Sequence, residues 1–92
     1  MSALEELETQ RVAKFREIEV AIAQDLYGSF DALSGTQKDS IFQEAAHAIE
    51  QWEEMAEMGT TPPAPRTPLQ GLLREYHEIC EQMLDIRDKR LR

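Results

Sequence analysis

The chain has 92 residues, 18 of them Asp or Glu against 10 Lys or Arg, for a formal net charge of −8. That length allows one domain, which buries only about 60 to 65% of the surface its unfolded chain exposes, so help from a partner is expected. The charge argues against a nucleic-acid or anionic-membrane surface, because phosphate binding needs clustered Lys and Arg, and it permits a basic protein partner or a cation.

No apolar run reaches the roughly 18 residues of a membrane helix. The opening MSALEELETQ is acidic and helix-forming, without the charged-then-apolar pattern of an export signal. A cytoplasmic protein with no membrane association is the expectation. The single cysteine, Cys80, cannot form an internal disulfide and lies among apolar neighbours, as a small core residue does.

In chain order, Ser2 followed by Glu5 is a capping-box signature, and no Gly or Pro interrupts residues 3 to 27 before Gly28 stops the helix. Helix 1 is therefore expected over 3–27. Its core face is Leu4, Leu7, Phe15, Ile18, Ile22 and Leu26, broken by Arg11, whose stem can lie on apolar surface while its head reaches water. Ala13, Val20 and Tyr27 form a weaker opposite row. The half from Ile18 to Ala23 is apolar nearly all round, which predicts burial against more than its own chain. GSFDALSG, residues 28–35, is long enough for one turn around Phe30 and Leu33 that plugs the end of a bundle.

Thr36 is expected to cap helix 2, with Asp39 at N3, and the pattern runs over 37–58 to Gly59. Its core stripe is Ile41, Ala45, Ala48, Ile49, Trp52, Met55 and Ala56. Residues 59–67, GTTPPAPRT, make a stiff connector, since consecutive prolines remove donors and enforce extended geometry. In polyproline form it spans up to roughly 25 Å. PPAPRTP could also serve as a ligand for an aromatic groove.

Helix 3 is expected over 68–90, with Thr67 as N-cap and Pro68 at N1. Leu69, Leu72, Tyr76, Ile79, Met83 and Ile86 recur at alternating three and four spacing, the seam of a helix packed along a neighbour. Leu73, His77, Cys80, Leu84 and Leu91 lie beside that seam. Together the two rows cover roughly half the circumference, more than one partner helix can bury. Arg87, Lys89, Arg90 and Arg92 place cations at the helix end, where the dipole favours them.

Glu44-Ala-Ala-His47 resembles the ligand pair of ferritin-like carboxylate bundles, in which a Glu and a His one turn apart hold iron. The resemblance implies further ligands from facing helices, for which Glu17 or Glu19, Glu75 or Glu78, and His77 are the candidates. Against it, His47 lies about 140° around helix 2 from Trp52, and Arg74 stands where a second Glu-x-x-His would need its Glu. The pairs Glu75/Glu78 and Glu78/Glu81 also look like the magnesium-binding helices of all-α nucleotide pyrophosphatases. A second acidic pair there would fall to Glu54 and Glu57, or to Glu5 and Glu8. No spacing indicates a nucleophilic triad, and His77 with Cys80 falls short of a zinc site.

Charge distribution is the stronger signal. Residues 1–66 carry 13 acidic and 5 basic side chains, whereas residues 67–92 carry 5 of each. Glu50, Glu53, Glu54 and Glu57 fall within about 100° of one another on the outward face of helix 2, near a C-terminus whose dipole disfavours anions. The expectation is an all-α protein, a three-helix bundle or extended helical hairpin completed by homo-oligomerisation through Ile18, Val20, Ile22, Leu73, Cys80 and Leu84. It should need no cofactor and catalyse nothing. Its function would be that of a small acidic helical interaction module, an inhibitor or adaptor that binds a basic protein surface through Glu50, Glu53, Glu54, Glu57, Met55 and Met58. Small phage- or plasmid-type inhibitors are similar in size and charge. The alternative is a carboxylate and histidine metal-binding bundle using Glu44, His47, Glu17, Glu75 and His77.

Overall fold

Three capped, amphipathic stretches become three helices in the computed structural model, which describes residues 2–58, 65 and 67–91, and the backbone only of 90 and 91. Among the described residues there is no strand. Helix α1 spans Ala3–Tyr27, α2 Gly35–Glu57 and α3 Pro68–Leu91. The Ser2 side chain accepts from the Glu5 N–H at 3.2 Å, and Gly28, at φ 82°, donates back to Gln24. Only Gly adopts that left-handed conformation without steric cost, so α1 stops where expected.

Helix α2 begins at Gly35, two residues before the expected start at 37, because its cap is not Thr36. Ser34 is its N-cap, and Gln37 closes a full capping box: the Ser34 side chain accepts from the Gln37 N–H at 3.2 Å, and the Gln37 side chain accepts from the Ser34 N–H at 3.0 Å. Thr67 caps α3 as expected, accepting from the Gln70 N–H at 3.1 Å. The proline connector lies outside the described residues apart from 65 and 67.

The helices share one main core. Ile18, Ile22 and Ala23 of α1, Ile41, Ala45 and Trp52 of α2, and Leu73 and Tyr76 of α3 are all buried in it. Phe30 joins that cluster from the α1–α2 turn, with Leu33 packed against it, so this short segment plugs the core. Leu26 is a correction: expected on the core face, it is 61% exposed. The last turn of α1 projects past the packing, and the chain reverses at Gly28 to bring Phe30 in instead.

A second cluster of Leu7, Ile79 and Met83, flanked by Leu4 and Ile86, extends the structure as a two-helix arm. Lys14 meets Glu75 and Arg11 meets Tyr76, so positions climb on α3 as they fall on α1, and the two helices run antiparallel. Bundle and hairpin thus occur in one molecule: three helices around Trp52, two beyond it. The Cα radius of gyration is 14.6 Å, against about 12 Å for a compact chain of this length. The extents, 46 × 34 × 18 Å, are those of a flat, elongated body.

Candidate protein-interaction surface

Where α2 ends beside the arm, a cleft of about 310 Å³ opens between α2 and α3. Glu53, Ala56 and Glu57 face it from one turn of α2, and His77, Cys80, Glu81 and Leu84 from a continuous stripe of α3. The spacings are three and four, so each set shares one side of its helix. Ala56, Cys80 and Leu84 give the cleft an apolar floor, with three carboxylates at its rim. Leu84 is 56% exposed, a large aliphatic side chain left uncovered among charges.

The acidity is not neutralised locally. Among the described residues, Glu50, Glu53, Glu54 and Glu57 take part in no ion pair, and no basic residue stands in the last turn of α2. Among the described basic residues of α3, Arg74 pairs with Glu78 and Lys89 with Asp85, each at 3.2 Å, and Arg87 lines a separate cleft with Glu8, Arg11 and Leu84. His77 approaches Glu81 at 3.1 Å. Burial, and then the Glu53 carboxylate, push the Cys80 thiol above its usual range, so it stays protonated. A protonated thiol is a poor nucleophile, and Cys80 serves as apolar lining.

The structure divides the sequence candidates. Glu53 and Glu57 line the cleft, while Glu50 and Glu54 are exposed beside it. Met55, 39% exposed, lies on the opposite flank of α2 by its spacing from Glu53, and Met58, 80% exposed, is the residue that caps the helix end. Of the residues expected to meet another subunit, Ile18, Ile22 and Leu73 are buried by the chain itself, and Val20 and Cys80 are half-buried against the same core. Residues 18–23, apolar apart from Glu19, face both α2 and α3 in that core. Only Leu84 of that set is exposed.

The metal candidates do not converge. Glu17 and Glu75 both bind the Lys14 ammonium, at 2.8 and 2.6 Å, so the space between these carboxylates already holds a cation. Hydrogen bonds from Glu17 and then Glu75 hold the Lys14 pKa above its usual range. Glu44 and His47 are exposed on α2, and His77 faces Glu81. Among the described residues, no three His, Cys, Asp or Glu side chains are grouped to hold a metal ion. Nor is any described helix long and apolar enough to cross a membrane.

Two features escaped the sequence reading. Arg11 bridges the helices: its Nη1 donates to the Tyr76 hydroxyl at 3.1 Å, while Nε and Nη2 grip Glu8. That guanidinium holds the Glu8 carboxyl below the usual carboxylate range. The second is an apolar cleft of about 310 Å³ between α1 and α2, lined by Arg11, Val12, Phe15, Arg16, Glu19 and Phe42. Its one sequence signal was Phe42, an aromatic residue off the expected α2 stripe. Comparison with protein-family models, characterised proteins and solved structures finds no match for this chain.

Proposed function

We propose that the chain is an acidic protein-interaction module, an inhibitor or adaptor of the phage or plasmid type, that binds a basic surface through the α2–α3 cleft. The observation that supports this is the pairing of unneutralised Glu53 and Glu57 with an exposed Leu84 over a floor of Ala56 and Cys80. Anions crowded near a helix C-terminus oppose its dipole, and a basic partner relieves that opposition. Complementary charge speeds encounter and selects the partner, while burying Leu84 slows release. The chain acts in the cytoplasm in this reading, with Cys80 as a free thiol. Self-association belongs to it as well, since so extended a molecule leaves Val12 and Phe42 outside its own core.

The test is affinity capture from a native extract at low and high salt, comparing wild type with the Glu53→Lys/Glu57→Lys double variant. A specific basic protein that is lost both on charge reversal and at high salt is the expected result. Equal retention under all conditions would show that the acidic rim is only a solvated surface.

A further inference from the structure

We propose that the face formed by Val12, Phe15 and Phe42 is a two-fold contact between two copies of this chain. Val12 and Phe42 are 57% and 55% exposed, and the Phe42 ring lies 5.3 Å from that of Phe15, so three apolar side chains form one patch across α1 and α2. The charges around the patch select its occupant. Each copy carries a net charge of −8, so two copies repel unless their contact avoids facing carboxylates. A two-fold contact over Leu84 would set Glu53, Glu57 and Glu81 of one copy against the same residues of the other. The Val12 face is balanced instead: Arg11 is held by Glu8, which leaves Arg16 and Glu19 one turn apart on α1.

In a two-fold contact, a residue that meets a second residue on the partner is matched by the reciprocal meeting. An axis passing between Arg16 and Glu19 therefore lets each Arg16 face the other copy's Glu19, while Val12 and Phe42 are covered. Within its own chain the Arg16 guanidinium lies 4.9 Å from the Phe30 ring centre, with Lys38 at 5.3 Å from the same ring. The contact rests on the self-association of the proposed function but shares no residue with the acidic cleft, so it does not depend on what the cleft binds, and a dimer built this way presents two open clefts.

Sedimentation velocity across the micromolar range reads the proposal. Wild type should reversibly dimerise, and Val12→Asp and Phe42→Asp should each weaken dimerisation about tenfold or more. Val12 belongs to neither core cluster, so its variant should keep wild-type helicity even if Phe42→Asp, which removes the contact with Phe15, does not. Arg16→Glu and Glu19→Arg should each weaken the dimer, and their combination should restore it. A role of Arg16 confined to Phe30 predicts no such restoration. A monomeric wild type, an unchanged dimer in Val12→Asp, or a double variant as weak as the single ones would overturn the proposal.

Discussion

Trp52, 5% exposed in the C-terminal third of α2, sits in the cluster that joins all three helices. Replacing it with Ala removes the largest side chain there and should cost about 3 to 5 kcal/mol, a large part of the stability of a small domain. Urea unfolding followed by circular dichroism should show a much lower midpoint, and an unchanged midpoint would mean that the core is centred elsewhere. Cys80 makes a second prediction at this scale. Its folded-state pKa lies above its unfolded value, so its contribution to stability is complete below the unfolded value and disappears as pH rises through the folded one. Alkylation by iodoacetamide at about pH 8 should accordingly be slower in the native protein than in urea; equal rates would contradict the protonated thiol. Glu8 has the opposite sign. Its pKa is lowered by Arg11, so its small, solvent-screened contribution is present above the unfolded value and fades as acid is added.

Helix ends were largely legible in the sequence because each cap is a local event. Ser2, Gly28 and Thr67 act as their types dictate, whereas the α2 start shows two cap residues in competition. Ser34 prevails over Thr36 because Gln37 stands three residues on and returns the second bond. Ser34→Ala should therefore cost about 1 kcal/mol, read as a drop in melting temperature, while Thr36→Ala should change it little. The partner of each apolar face was not legible, since a stripe gives a direction on the helix and not what lies opposite. The wide apolar arc of α3 was expected to need a second subunit, yet α1 and α2 cover Leu73 and Tyr76 between them. Leu73→Asp should therefore unfold or severely destabilise the chain by burying an unpaired charge, whereas Leu84→Asp should leave its helicity and melting temperature close to wild type. If the two variants behave alike in thermal melts, the division of α3 into a covered and an open row is wrong.

On the scale of the molecule, α1 and α3 run antiparallel beyond the three-helix core, and the acidic cleft opens where the arm leaves it. That is why the sequence indicated four carboxylates on one face of α2 but not the α3 residues beside them. His77, Cys80, Glu81 and Leu84 join Glu53 and Glu57 only through the way the helices cross. We propose that this junction receives a basic, apolar-studded surface. The most direct measurement is a titration of isotope-labelled protein with an amphipathic Lys- and Leu-rich helical peptide, followed residue by residue by NMR. Saturable shifts centred on Glu53, Glu57, Cys80, Glu81 and Leu84, suppressed by salt and absent in Leu84→Asp, are the predicted result. Shifts centred on exposed carboxylates away from the cleft, or shifts unaffected by Leu84→Asp, would contradict it.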